Sequence, residues 1–193
     1  MTDSEFQSAL LAVWREAARH PSLGVAMAAM AAPVRQLWPG LRLTVRGFDR
    51  ALPGVVTQAD SRGMEFLPEA LLCSDDMLER LQRWADRKRV QARAELGAAE
   101  PLLLRALPGS TSDSCLVGGL ADEHGGLGLL LGSLDDGAPF SAIDRERFAA
   151  LLEPFAAALA THVQLRELAT PAQRRRGGIR TPALATRQRR GTR

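Results

Sequence analysis

The sequence predicts an α+β fold, in which helices pack on an antiparallel sheet. Three observations support this. Apolar residues recur at helical spacing near both ends of the chain, strand-like segments joined by short turns lie between them, and the apolar share of 46% is ordinary for a folded domain. The 193 residues leave room for one domain, or for one domain and a tail. Aromatic residues make up only 5% of the chain, so we expect a core built from Leu, Val and Ala.

Two helices are predicted before the first strand. In residues 4–19 an apolar residue recurs at every third or fourth position, and Ser4 followed by Gln7 fits a capping box. A second helix, over residues 22–37, is apolar on nearly all sides and is therefore expected to be buried. Pro33 lies inside this helix and lacks a backbone donor, so we expect a kink or an early end there.

A strand pair and a third helix are predicted in the middle of the chain. Residues 41–46 alternate apolar and polar side chains, which is typical of a half-buried strand, and residues 55–59 can return beside them. Residues 74–96 show an apolar stripe at helical spacing, with Ser74 as the N-cap and Gly97 as the stop.

The second half of the chain predicts further strands and a closing helix. The short apolar run 102–107 is interpreted as a strand. Residues 115–120 and 127–134 are apolar runs that flank a short glycine-containing turn, which indicates a β-hairpin. A long amphipathic helix is expected over residues 141–168, with Ser141 as its cap.

The segment 126–159 combines three features. A strand rich in glycine and leucine (126–133) is followed by a Pro-Phe-Ser turn with an acidic residue in the next helical turn (139–144). A helix then carries a Glu-Pro pair before an alanine-rich apolar face (153–159). This combination resembles the end of a GAF domain, and the rest of the chain fits that family in the order of its elements. The resemblance implies a GAF-like antiparallel sheet with the N- and C-terminal helices on one face.

Residues 164–168 resemble the coiled signalling helix that leaves the sensory GAF domain of sigma-54-dependent transcriptional regulators. This implies a sensory domain over residues 4–168 that signals through its terminal helices in transcriptional regulation. The ATPase domain of such regulators needs a Gly-Lys-Ser/Thr phosphate loop, and the single lysine, Lys88, lies in an Arg-rich stretch without one. The residues beyond 170 are too few for a DNA-binding module, so we expect a truncated regulator that lacks both output domains.

The sequence predicts no catalytic residue and no metal site, and it leaves the ligand-binding residues and any cofactor open. His20, His124 and His162 lack the spacing of metal ligands. Some GAF domains hold a tetrapyrrole on a cysteine, bind iron or reduce methionine sulfoxide through thiols, so the resemblance draws attention to Cys73 and Cys115. Acidic residues follow Cys73 closely and Cys115 opens an apolar strand, so we expect both thiols to be buried and unreactive.

A cytoplasmic location without membrane contact is predicted. No stretch of 18 consecutive apolar residues occurs, so no membrane-spanning segment is expected. Residues 2–5 are polar and partly acidic, unlike the start of a signal peptide. Two cysteines are too few for a disulfide framework, which fits a reducing compartment.

The charge of the chain is divided between a mildly acidic domain and a basic tail. Residues 171–193 hold eight of the 25 basic residues and no acidic one. Residues 1–170 therefore carry 17 basic against 22 acidic residues, a net charge of −5. We expect residues 169–193 to be disordered, because so little apolar surface cannot offset the entropy of ordering. The tail could bind the phosphates of a nucleic acid, or it could be the truncated or frame-shifted end of a longer protein.

Three classes of function remain open from the sequence. The first is a non-catalytic sensory or regulatory domain for a small ligand or partner, which a pocket of several hundred Å³ against the sheet would favour. The second is a ligand-free homodimerisation or scaffold module that pairs two copies through Trp14, Leu165 and Leu168, which a fully packed sheet would favour. The third, less favoured, is a cysteine-dependent enzyme, for which Cys73 and Cys115 would face each other in a cleft. A nucleic-acid binder acting through the basic tail is a further alternative.

Overall fold

The chain folds into an antiparallel sheet with helices on both faces, which confirms the predicted α+β class. The computed structural model describes residues 2–51, 53–61, 70–96, 100–108 and 112–176, with side chains described as far as residue 169. In chain order the elements are α1 (Asp3–Arg19), α2 (Leu23–Leu37), β1 (Leu41–Asp49), β2 (Gly54–Asp60), β3 (Ala70–Leu72), α3 (Asp75–Ala85), β4 (Val90–Ala92), α4 (Arg93–Leu96), α5 (Pro101–Ala106), β5 (Leu116–Asp122), β6 (Gly125–Leu134) and α6 (Ala142–Arg176).

The six strands lie in the order β3–β2–β1–β6–β5–β4, and every neighbouring pair is antiparallel. The hairpin β5–β6 joins the two halves of the sheet, because β6 also pairs with β1. Two bulges interrupt the ladders, one opposite Val45 and Arg46 and one beside Leu120. Bulges strengthen the local twist of a sheet, and both of these lie toward the end where the β1–β2 and β5–β6 turns emerge.

One face of the sheet, the terminal-helix face, is covered by α2 and α6, and α1 packs against these two helices. Its strand residues include Leu43, Val45, Leu120 and Leu130, all fully buried. Phe155 of α6 is also fully buried in this core. The predicted placement of the N- and C-terminal helices on one side of the sheet is therefore confirmed.

The opposite face, the α3 face, carries a second apolar core. Val117, Leu129 and Leu131 are buried there beneath α3, and Leu103 of α5 belongs to the same core. The α3 stripe that the sequence indicated faces this core, with Trp84 among its buried residues.

Glycines in the β5–β6 hairpin let helices approach the sheet on the terminal-helix face. A Cβ added to Gly132 would lie 2.5 Å from Cε2 of Phe148, and one added to Gly118 would overlap Leu152 of the same helix. The two α6 side chains therefore fill the space that side chains at these strand positions would need.

Two other glycines of the hairpin do the same for α3. A Cβ on Gly119 would lie 2.6 Å from the Cα of Ala85, and a Cβ on Gly126 would lie 2.8 Å from the Cα of Gln82. Here the neighbour is helix backbone rather than a side chain that can rotate away. The close contact between α3 and the sheet thus requires glycine at both positions.

The start of α6 is tied to the end of α2 through Asp144. Trp38 Nε1 donates to Asp144 Oδ1 at 2.9 Å, and Ser141 Oγ donates to Asp144 Oδ2 at 2.6 Å. The Asp144 amide in turn donates to Ser141 Oγ at 3.2 Å, so Ser141 caps the helix as predicted. Burial alone would raise the pKa of Asp144, but the hydrogen bonds from Ser141 and Trp38 outweigh it and lower the pKa.

The third helix is shorter than the sequence indicated. It ends at Ala85 instead of near residue 96, because the next four residues are charged and exposed and Lys88 adopts a left-handed φ of 48° that turns the chain. The chain then forms β4, which pairs with β5, and the short helix α4. The prediction of one helix over 74–96 was therefore wrong beyond Ala85, and the predicted stop at Gly97 lies outside the described residues.

The apolar run 102–107 is helical, not a strand. Pro101 occupies the first turn of α5, where its missing N–H costs nothing, and the spacing of buried Leu103 and Ala106 places both on one helix face. A short apolar run fits either element by periodicity alone, and the proline was the better signal. The short edge strand β3 was not predicted either, since three residues show no usable alternation.

The helix ends differ in detail from the prediction. In α1, Thr2 and Glu5 form the capping box, not Ser4 and Gln7. Pro33 does not shorten α2, which continues to Leu37. The backbone of α6 extends to Arg176, beyond the expected end near residue 168. Residues 177–193, most of the tail expected to be disordered, lie outside the described part of the chain.

Part of α6, Ala142–Ala169, is long and apolar enough to cross a membrane by length and composition. Its apolar side chains are used in the fold: Phe148, Leu151, Leu152 and Leu159 are all buried in the core of the terminal-helix face. A helix at the centre of a folded domain has the same composition, and this is the role of α6 here.

We expect Gly119→Ala to lower the free energy of unfolding by about 1–3 kcal/mol, because the new methyl group must push the α3 backbone away from the sheet. Gly24→Ala is the matched control. Gly24 lies in α2 with only Ser22 Oγ at 4.0 Å, so alanine there should stabilise the helix by about 0.5–1 kcal/mol. Urea denaturation of both variants measures the two effects. Equal effects of the two substitutions would contradict the close packing of α3.

Candidate ligand-binding site

A cleft of about 390 Å³ opens at the end of the sheet where α6 extends past the strands. It lies between residues 160–167 of α6 and the two turns that join β1 to β2 and β5 to β6. Its size falls within the range of small-molecule sites. The lining residues are Gly47, Phe48, Asp49, Arg50, Ala51, Gln58, Gln82, Asp122, His124, Gly126, Leu127, Ala160, Val163, Gln164, Arg166 and Glu167.

Three small residues line the cleft. Gly47 and Gly126 lie on strands and Ala160 lies on α6, so all three contribute backbone or a single methyl group. Gly47 also makes room for a neighbour, because a Cβ there would lie 2.9 Å from Cγ of Gln58. A larger residue at Ala160 would fill the cleft, and one at Gly47 would displace Gln58. One at Gly126 would push the α3 backbone away from the sheet.

Part of the cleft lining is apolar. Phe48 of β1, Leu127 of β6 and Val163 of α6 line the cleft and are each half-buried. Leu127 and Val163 pack against the core of the terminal-helix face, whereas Phe48 packs against the core of the α3 face. Each apolar lining residue is therefore held in place by one of the two cores.

The rim of the cleft is polar and carries both signs of charge. Arg50 lies on the β1–β2 turn and Glu167 on α6, and both are exposed. On the β5–β6 turn, Asp122 Oδ1 accepts a hydrogen bond of 2.8 Å from the His124 amide, which fixes the turn. Three glutamine amides from β2, α3 and α6 complete the lining: Gln58, Gln82 and Gln164.

A second set of polar side chains, with Arg46 and Asp60 buried, lies on the α3 face over β1 and β2. Arg46 is 1% exposed and donates through Nη2 to the Val55 carbonyl at 3.1 Å. Asp60 is also buried and accepts from Arg42 Nε at 2.9 Å and from Thr44 Oγ1 at 2.7 Å. The sequence showed Arg42, Thr44 and Arg46 only as the polar half of an alternating pattern, which does not distinguish a buried polar face from a solvated one. Asp60 was expected in a loop and is instead the last residue of β2.

The three histidines lie in different surroundings. His20 Nε2 lies 2.8 Å from Glu16 Oε2, one helical turn earlier, and His124 is exposed beside Glu123. His162 is half-buried on α6, where burial lowers the pKa and the charge of Arg166 lowers it further. Within the described residues, no group of three or more His, Cys, Asp or Glu side chains could hold a metal ion.

The two cysteines are associated with the core of the α3 face, not with the cleft. Cys115 is 1% exposed, and burial raises the pKa of its thiol to about 12 in spite of weaker opposing effects from the Gly132 backbone and Arg93. Cys73 is half-buried, and burial together with the charge of Asp75 raises its pKa as well. Both thiols are therefore protonated near neutral pH and poor nucleophiles.

The arrangement of strands and helices is similar to that of GAF domains of known structure. The GAF domain of an Acinetobacter phosphoenolpyruvate-protein phosphotransferase has a TM-score of 0.60 at 15% identity, over 83% of this chain and 95% of that one. The free methionine-R-sulfoxide reductase of Neisseria meningitidis, solved in complex with its substrate, has a TM-score of 0.59 at 14% identity, over 86% and 95%. The phycoerythrobilin-bound GAF domain of a cyanobacterial phytochrome has a TM-score of 0.55 at 15% identity, over 83% and 97%.

No family model matches the sequence, and no curated protein matches it either. At 14–15% identity the structural likeness concerns the fold alone. The GAF-like fold expected from segment 126–159 is thereby confirmed.

The thiols provide a test of the enzyme alternative. In the native protein at neutral pH we expect Ellman's reagent to react slowly with Cys73 and not measurably with Cys115, because burial keeps both thiols protonated. In denaturant, both thiols should react at once, which serves as the control for total thiol. Rapid reaction of Cys115 in the native state would contradict the buried, inert assignment and favour a cysteine-dependent activity.

Proposed function

We propose that this chain is a non-catalytic, cytoplasmic sensory domain that binds a small molecule in the cleft and passes the bound state on through α6, with transcriptional regulation as the output. One observation carries the proposal: the same cleft is lined by the end of the sheet and by residues 160–167 of α6. A ligand there would contact the sensor scaffold and the exit helix together.

The burial of α6 along its length supports this role. Up to Leu159 its apolar side is buried against the sheet, whereas from Gln164 onward every described side chain is exposed. The first part of the helix is thus fixed by the core, and the later part borders the cleft with its side chains exposed. A ligand that binds better when the cleft is closed would shift α6 toward that position by its difference in affinity for the two states.

The alternatives have less support. The α3 face is closed where α3 sits on Gly119 and Gly126, which alone would favour a scaffold, but the cleft at the sheet end provides the volume that a sensor needs. A thiol-dependent reaction requires a reactive cysteine, and the raised pKa values of Cys73 and Cys115 argue against one. The methionine-R-sulfoxide reductase shares the fold, and a fold can host unrelated functions.

The test measures thermal unfolding of the full chain with small metabolites of four charge classes: cations, anions, zwitterions and neutral compounds. Ala160→Leu fills the cleft, and Ala157→Leu is the matched control, because Ala157 is exposed one turn earlier on the same helix. We expect at least one class to raise the Tm of the wild type and of Ala157→Leu but not of Ala160→Leu. A ligand at 100 times its Kd stabilises the folded state by about 2.7 kcal/mol.

Hydrogen exchange then tests the link to α6. The bound ligand should slow exchange of the amides of residues 160–167, while amides earlier in α6 stay as protected as before. Binding without any change in α6 would overturn the signalling part of the proposal. If no class of compound binds, the sensor assignment fails and the scaffold module remains.

We also propose that the active form is a homodimer joined through the terminal helices. Leu11 and Trp14 form an outward apolar pair on α1 and are 59% and 39% exposed; on α6, Leu165 and Leu168 are 42% and 74% exposed. Exposed apolar residues that recur along a helix favour contact with another helix. A dimer would place two exit helices side by side, as the resemblance of segment 164–168 to a coiled signalling helix implies.

Sedimentation equilibrium tests the dimer. We expect Trp14→Glu and Leu168→Glu to shift the protein toward monomer, because each places a charge in the apolar contact. Gln7→Glu is the control on the exposed side of α1 and should leave the mass unchanged. A wild-type protein that stays monomeric at high micromolar concentration would overturn this part of the proposal.

A further inference from the structure

The chemistry of the cleft points to a class of ligand, and this inference rests on the sensor function proposed above. We infer that the cleft binds a small zwitterion that carries one ammonium, one carboxylate and a short apolar group, which is the chemical class of a free amino acid.

The apolar lining on the terminal-helix face is suited to a short aliphatic group. Leu127 of β6 and Val163 of α6 line the cleft there and pack against the same core, and Ala160 of α6 leaves the space open. A ligand group in this position would be removed from water on several sides, which contributes about 0.8 kcal/mol per buried CH₂. A volume of about 390 Å³ is enough for a molecule of this size and its hydration water.

The rim carries charges of both signs on different elements of the fold. Arg50 is supplied by the β1–β2 turn, and Glu167 is supplied by α6. Within the described part of the chain neither side chain forms an ion pair, so each can bind a ligand group without breaking a contact. A guanidinium binds a carboxylate with two parallel hydrogen bonds, and a carboxylate accepts from an ammonium.

A ligand with a single charge fits the rim less well. An anion would meet Asp122 and Glu167, and a cation would meet Arg50. Only a ligand that presents both signs gains from both walls, which is selection by repulsion as well as by attraction. Amides at Gln58, Gln82 and Gln164 can donate or accept, so they are compatible with either charged group.

The pairing also connects the ligand to the exit helix. The carboxylate would be held by Arg50 on the scaffold and the ammonium by Glu167 on α6, so one molecule would bridge the two parts of the cleft. Removal of either charge from the ligand would leave it bound to one wall only.

The experiment measures binding of free L-valine and L-leucine to the full chain by calorimetry, with two derivatives of each. The amide keeps the ammonium and lacks the carboxylate, and the N-acetyl form keeps the carboxylate and lacks the ammonium. We expect the free amino acids to bind, and each derivative to bind at least about tenfold more weakly, as the loss of one charge-assisted hydrogen bond implies.

Two charge-removing variants locate the site. Arg50→Gln and Glu167→Gln should each weaken binding of the free amino acid by about tenfold. Arg50→Gln should no longer distinguish the free amino acid from its amide, and Glu167→Gln should no longer distinguish it from the N-acetyl form. Arg15→Gln and Glu146→Gln are the controls, because these exposed helix residues lie outside the cleft and should leave the affinity unchanged.

The outcomes separate the two proposals. Derivatives that bind as well as the free amino acid overturn the zwitterion assignment, and affinity that is unaffected in both charge variants overturns its placement. If amino acids do not bind while another charge class binds in a manner blocked by Ala160→Leu, this inference fails and the sensor function stands. If no class binds, both fail.

Discussion

The fold depends on four glycines of the β5–β6 hairpin, where the absence of a side chain lets helices approach the sheet. Gly118 and Gly132 admit the side chains of α6 on one face, and Gly119 and Gly126 admit the backbone of α3 on the other. The hairpin is therefore enclosed by helices on both faces at close distance. The cleft lies beyond these contacts, at the end of the sheet, where the strands finish and α6 continues.

The anchoring of α6 is uneven for the same reason. At its start, Asp144 links the helix to Trp38 of the preceding layer and to its own cap, and Phe148 and Leu152 then occupy the glycine positions of the hairpin. Further along, the helix leaves the hairpin and borders the cleft. A helix fixed at one end and exposed at the other can move at its exposed half without disturbing the core, and the proposed signalling role requires this property.

The sequence was sufficient to predict the elements that bury a continuous stripe of apolar side chains. Helices α1 and α2 and the β5–β6 hairpin follow the predicted pattern closely, because apolar periodicity and the short turn determine them. It was insufficient where one segment changes element without a glycine or proline to mark the change, as at the charged residues after Ala85. The cleft could not be predicted, since its residues come from β1, β6 and α6 and meet only in the folded chain.

The residues that carry the GAF resemblance explain why the fold was easier to predict than the ligand. Gly128 and Gly132 belong to the strand that packs under α6, and Ser141 and Asp144 cap that helix. These positions hold the sheet and the closing helix together, so any chain with this packing will show them whatever it binds. The cleft is lined in part by exposed side chains of the turns and of late α6, such as Arg50, His124 and Glu167, on which packing places few demands. These residues can therefore change while the helix–sheet contacts, and with them the fold, stay the same.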